Sequence, residues 1–168
     1  MVTANIASDA FELSLLQYIF NAAASPFGGL ILADGPAQLK LVLLKGDARA
    51  LAGVMPAIGG VGSLEPTAAE YQGYARLGVN RTAAEWTCAT AAGVSTATKA
   101  TNDAVFATAG GASTGCTITH VGVAMAESAF NGAGGDFLLY CWQLDNSISV
   151  SAGIAPRINV GDLVHEEK

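Results

Sequence analysis

The chain has 168 residues, of which 51% are apolar and only 13% charged; 8 Lys and Arg stand against 14 Asp and Glu, for a net charge of −6. The acidic balance, with basic residues scattered singly, excludes the basic stripe that nucleic-acid binding requires. No apolar run reaches the ~18 residues of a membrane-spanning helix, so no membrane role is expected.

Asp9 to Asn21 reads as a helix. Asp9 can cap it, with Glu12 three residues on as the return half of a capping box. Phe11, Leu15 and Ile19 repeat at helical spacing, and Leu13, Leu16 and Phe20 widen the stripe. Only Ser14, Gln17 and Asn21 form a polar face, so the helix needs cover on most sides, from its own sheet or from a neighbouring subunit. Met1 to Asn5 has no basic n-region, so no secretory signal is expected.

Ala22 to Pro36 reads as a loop carrying Leu30-Ile31-Leu32. Leu39 to Leu44 is apolar on both faces except at Lys40, the pattern of a strand covered on both sides. Arg49 to Ser63 is a flexible Gly-rich loop. Its Gly59-Gly60-Val61-Gly62 is followed by Glu65-Pro66 rather than Lys-Ser/Thr, so it is no phosphate cradle. A loop of this length commonly reaches out to touch something.

Tyr71 to Val79 alternates as a strand, with Tyr74 and Arg76 on one face. Arg76 is either a tie to Glu65 or Glu70 that fastens the preceding loop, or a snorkelling surface arginine. Trp86 ends a loop or begins a strand. Cys88 to Thr101 mixes Thr and Val with Ala and gives no clear element. Ala104 to Ala107 is a short strand. In the strand Ile118 to Met125, alternation puts Thr119, Val121, Val123 and Met125 on one face and Ile118, His120, Gly122 and Ala124 on the other. Glycines at 132, 134 and 135 connect it as a hairpin to Phe137–Leu144. Asp145-Asn146 reads as a turn. Ile148 and Val150 then alternate with serines, Arg157 to Val164 supplies a last broken strand, and His165 to Lys168 reads as a solvated tail. One N-terminal α-helix followed by about eight short strands predicts a single mainly β domain over residues 1–168, a jelly-roll-like β-sandwich.

Candidate chemistry is sparse. Cys88, Cys116 and Cys141 form no CxxC pair and read as reduced, buried thiols. Asn80-Arg81-Thr82 matches a glycosylation sequon only by coincidence. His120 on a strand reads as structural, and no nucleophile elbow or HExxH occurs. The dispersed acids select no carboxylate pair for a glycosidase. No catalytic, cofactor or metal residue is assigned, and no enzyme activity is expected. Tyr71, Trp86 and Trp142 are the aromatics available should the domain bind carbohydrate. Charge this sparse matches the depletion seen in permanent protein interfaces.

Glu65-Pro66 leads into Gly73-Tyr74-Ala75-Arg76, and Trp86 follows about ten residues on. Thr119-His120-Val121-Gly122 and Gly134-Gly135-Asp136-Phe137-Leu138-Leu139-Tyr140 come next, and Ser147 to Asp162 close the series. This order of motifs resembles short virion structural proteins of tailed bacteriophages, often labelled tail fibre-like. The chain departs from that pattern in the longer Arg49–Ser63 loop and Ala89–Asn102 segment. The resemblance implies a non-enzymatic virion component, made in the host cytoplasm. Compactness, with a radius of gyration on the order of 15 Å, suits a capsid decoration or cement protein better than a reaching fibre. Such a part would form a homotrimer, bind the major capsid protein and lie on the outer capsid surface. A tail fibre, baseplate or other minor tail component partnered by tail proteins is the alternative, and a carbohydrate-binding β-sandwich module the second.

Overall fold

The computed structural model describes residues 9–21, 38–48, 55, 58, 63–126 and 136–167. The capping role of Asp9, the Leu30-Ile31-Leu32 stretch, most of the Arg49–Ser63 loop and the 127–135 connection lie outside the described residues or side chains. Among the described residues the fold is mainly β, with one helix, α1 (Asp9–Asn21), and antiparallel pairing in every sheet.

Strands β1 (Gln38–Leu44), β2 (Leu77–Asn80), β6 (Cys116–Ala126) and β7 (Asp136–Val150) form a four-stranded sheet in the order β2-β1-β6-β7. Its inner strand β1 is apolar on both faces because both are covered. Leu39, Leu41 and Leu43 enter the main core, while Val42 and Leu44 join Ala48, Met55 and Ala124 in a second cluster. A second sheet has the order β3-β4-β9, with β3 (Trp86–Ala91), β4 (Val94–Lys99) and β9 (Val164–Glu167). The short β5 (Ala104–Val105) and β8 (Arg157–Ile158) pair as a ribbon. One core draws on all three sheets and the helix. Phe20 of α1 packs on Trp86 of β3 and on Tyr140 of β7, with ring centroids 4.6 and 5.8 Å apart.

Several elements differ from the sequence reading. The strand expected from Tyr71 begins only at Leu77; residues 71–76 are turn and irregular backbone, with Gly73 at φ 89°. The ambiguous Cys88–Thr101 stretch is the β3–β4 hairpin. Its turn, Ala92-Gly93, has both residues at positive φ (52° and 75°), the requirement of a tight hairpin that follows strand twist. The terminal tail is not solvated coil along its backbone: Val164–Glu167 pairs with Ser95–Thr98 as β9.

Asp145-Asn146 is not a turn either, because β7 runs through it. Ile118 pairs Ile148 and His120 pairs Gln143, so Thr119 alone faces four residues, Leu144 to Ser147. This wide bulge also shifts the phase of β6. Strict alternation puts Ile118 and Val121 on opposite faces, yet both lie fully buried in the same core.

Candidate functional site

The densest cluster of charge is where the segment after residue 63 meets the start of β7. Glu65 and Asp136 are buried, at 1% and 4% exposure. Arg76 lies between them. Its Nε donates to both Glu65 oxygens at 3.1 Å and its Nη2 to Oε2 at 2.5 Å, a forked pairing; its Nη1 donates to Asp136 Oδ2 at 2.5 Å. Lys40 of β1 reaches the other Asp136 oxygen at 2.7 Å. Tyr74 Oη donates to Glu65 Oε1 at 2.7 Å and accepts from the Leu43 backbone N–H at 3.1 Å.

Each position follows from its element. The third residue of β1, Lys40, is the one charged residue of that strand. The first residue of β7, Asp136, also holds Met55 N through its carbonyl at 2.8 Å. From the irregular backbone of 71–76, Tyr74 and Arg76 both reach back to Glu65. Burial works against charge on Arg76, but Glu65 and Asp136 outweigh it and hold the guanidinium protonated. Burial, reinforced by Glu65, pushes the Tyr74 phenol far up, so it remains a donor. Burial also acts against the Asp136 carboxylate, but Lys40 and Arg76 prevail and hold it below the usual carboxylate range.

A satellite pair extends the clamp. Lys45 Nζ meets both Glu70 oxygens at 3.0 and 2.8 Å, its N–H meets the Leu64 carbonyl at 2.8 Å, and Thr67 N–H caps Glu70 at 2.8 Å. Arg76 therefore takes Glu65 rather than Glu70, and adds Asp136, a partner with no signal in the local sequence.

Two further cations are tied down inside the fold. Lys99 is 2% exposed and donates to Glu85 at 2.9 Å, to the Asn102 carbonyl at 2.8 Å and to the Thr101 carbonyl, which uses all three of its protons. The sequon residue Arg81 is 4% exposed and donates to the carbonyls of Ile19 (2.7 Å) and Tyr18 (2.5 Å), the last turn of α1. No basic residue lies within that turn, so a distant arginine caps its exposed carbonyls.

Compared with known proteins, the chain matches no family model and no curated relative.

The remaining candidates scatter. His120 Nδ1 pairs with Thr119 Oγ1 at 2.8 Å on β6, next to Leu44 and Gln143 in the sheet. None of the three cysteines is in a disulfide, and burial pushes the Cys88 thiol up to about 11 and raises Cys116 as well. Among the described residues, no group of three or more His, Cys, Asp or Glu side chains could hold a metal. Of the three aromatics considered for carbohydrate, Tyr71 and Trp86 are core residues at 0% and 1% exposure; their polar atoms go to the carbonyls of Ala107 and Asn80. Trp142 alone is half-buried, and it lines a groove at the edge of β7.

Arranged this way, the clamp binds three stretches of chain together. Its two carboxylates share one arginine and each has a further donor, so both lone-pair sets are committed within the protein. Chemically this is a fastening.

Proposed function

We propose that this chain is a non-enzymatic structural protein of a tailed-bacteriophage virion, a decoration or cement protein that binds the outer capsid surface as a homotrimer. The single observation that carries the structural reading is the Arg76–Glu65–Asp136–Lys40 network. Arg76 and Lys40 match the buried Glu65 and Asp136 carboxylates and fasten residues 63–76 and the start of β7 to β1. A hydrolytic site needs carboxylates facing a cleft with room for water or substrate; here the buried carboxylates face an arginine.

The four-stranded and three-stranded sheets are read as the two halves of a jelly-roll-like sandwich, a form suited to presenting loops and edges to neighbours. Sparse charge supports assembly, since interface cores are depleted of it. So do Val105, Ile154 and Val160, large apolar side chains with 43%, 42% and 44% exposure beside the β5–β8 ribbon. The order of motifs shared with short virion proteins supplies the particle.

Cryo-microscopy of intact particles of the encoding phage tests this reading. Density for the chain at capsid three-fold positions is expected, together with a lower capsid melting temperature in particles lacking it. Density at the tail, or an unchanged capsid melting temperature, would overturn the cement role.

A further inference from the structure

The groove at the edge of β7 has a volume of about 630 Å³ and lies between the bulged stretch of that strand and residues 157–163. Its floor is apolar: Trp142, Leu144 and Ile148 are half-buried there, beside the buried Ile158 and Leu163. Its rim is polar. Gln143, Asp145 and Asn146 are exposed on one side, and among the described residues none of their side chains has a partner. Asn159 and Asp162 stand on the other side, fixed to each other: Asp162 Oδ2 accepts from the Asn159 amide at 2.9 Å and from its backbone N–H at 3.1 Å.

We infer that this groove is a binding site for a neutral saccharide. The floor and rim match the two faces of a sugar ring. The C–H face needs an aromatic or aliphatic surface, which Trp142 and its neighbours provide, and the ring hydroxyls need amide and carboxylate groups at the margin. The bulge is what aims these groups. Four residues of β7 stand against one of β6, so Asp145 and Asn146 leave the pleat and stand over the groove. Charge narrows the ligand. Asp145 and Asp162 leave the rim acidic, and the Arg157 guanidinium is already matched by Asp103 at 3.2 Å, so phosphate, sulfate and sialic acid are disfavoured. The bulge also rules out an added peptide strand, because it breaks the regular spacing of N–H and C=O groups that a ladder needs. This inference does not depend on the capsid reading; it holds for any particle or cell surface that carries the protein.

The full chain, tested on an array of neutral, sulfated and sialylated oligosaccharides, is expected to retain neutral ones only. Each retained oligosaccharide is then titrated against wild type and variants by isothermal calorimetry, and against wild type by tryptophan fluorescence as well. The chain has two tryptophans, and buried Trp86 serves as an invariant background while the half-buried Trp142 reports the groove. Trp142→Phe keeps an apolar floor, and Asn146→Ala alters only an exposed bulge residue. Each is expected to weaken binding by about tenfold, Asn146→Ala with unchanged thermal melting. Silence on the array, preference for anionic glycans, or full binding by both variants would overturn the proposal.

Discussion

Arg76 and Glu65 lie eleven residues apart in sequence and meet in a forked ion pair, Nη2 to Oε2 at 2.5 Å, with Glu65 at 1% exposure. Asp136, sixty residues further along, closes the pair into a triad at 2.5 Å. Replacing Arg76 with Met removes the one group that both carboxylates share. Breaking a buried pair from one side costs about 3–5 kcal/mol, because an uncompensated charge remains. For a chain of this length that is a melting temperature lower by roughly 6–20 °C, read by calorimetry. A melting temperature within the error of wild type would show that the clamp is peripheral.

Acid should release the same clamp. The Asp136 and Glu70 carboxyls are both held below their ordinary range: Asp136 because Lys40 and Arg76 outweigh burial, Glu70 chiefly through its hydrogen bond to Lys45. A lowered carboxyl binds fewer protons folded than unfolded, so it stabilises the fold above the unfolded pKa of about 4 and loses that contribution as pH falls through the folded value. Melting temperature is therefore expected to be flat from about pH 7 to 5 on account of these groups, and to fall below about pH 4. Asp136→Asn combined with Glu70→Gln should lower the plateau and flatten the acid limb. An acid limb of undiminished steepness in the double variant would assign it to other groups.

The sequence reading recovered the elements whose apolar pattern is set locally: α1, β1, and the β6–β7 pairing. It failed where tertiary contacts override local preference. The Gly73-Tyr74-Ala75-Arg76 stretch alternates like a strand, but its backbone turns instead, with Gly73 at φ 89° and the Tyr74 N–H donating to the Tyr71 carbonyl at 3.1 Å, while the Tyr74 and Arg76 side chains reach Glu65. The β3–β4 hairpin was hidden because Ala92 occupies a left-handed position that Asn or Gly usually signals. Asp145-Asn146 carries turn chemistry, and the chain does depart from regular pleat there, but as a bulge inside one strand. Of the clamp, a tie from Arg76 to Glu65 or Glu70 is one of two readings that proximity in sequence leaves open, the other being a surface arginine, and the structure takes Glu65. Asp136 was not legible, since nothing local links residue 136 to residue 76.

Arg81 had no visible role in the sequence, and its contacts with the Tyr18 and Ile19 carbonyls give it one. Burial also lowers the tendency of this guanidinium to hold its proton, which marks the site as one where charge is tolerated only because acceptors are present. Arg81→Met should leave those carbonyls unmatched, at about 1–3 kcal/mol. Hydrogen exchange should then rise selectively in the last turn of α1, with β6 and β7 unchanged. A uniform rise across the chain would point to global destabilisation instead of a lost cap.

Cys88 offers a chemical readout of core integrity. Burial raises its thiol to about 11, the Asn21 side chain offsetting only part of that shift. Only the thiolate reacts, and at pH 8 a thiol of that pKa is ionised on the order of a hundredfold less than an ordinary one near 8.5. Iodoacetamide labelling followed by peptide mass spectrometry should show Cys88 slow in the native chain and ordinary in urea. Equal rates in both conditions would place Cys88 at an open surface.

Gly122 is the tightest point between β1 and β7. It pairs with Val42 on one side and Cys141 on the other. A Cβ at this position would lie 2.6 Å from Leu138 Cδ1, 2.8 Å from Val42 Cγ2 and 3.2 Å from the Tyr140 carbonyl oxygen. The side chains cannot both withdraw, because Val42 is fully buried in the second cluster and Leu138 packs against it. Gly122→Ala gains β-propensity and loses backbone entropy in the unfolded chain, which alone would stabilise by about 0.4–1 kcal/mol. Overpacking costs about 1–3 kcal/mol and exceeds that gain. The net expectation is a lower midpoint in urea with an unchanged slope, since the clash strains the native sheet without altering the surface exposed on unfolding. A second substitution, Leu138→Ala, removes the nearest obstructing atom. In that background Gly122→Ala should cost measurably less than in wild type, and a cost that stayed the same would locate the strain in the backbone of β7 rather than in the side chain of Leu138.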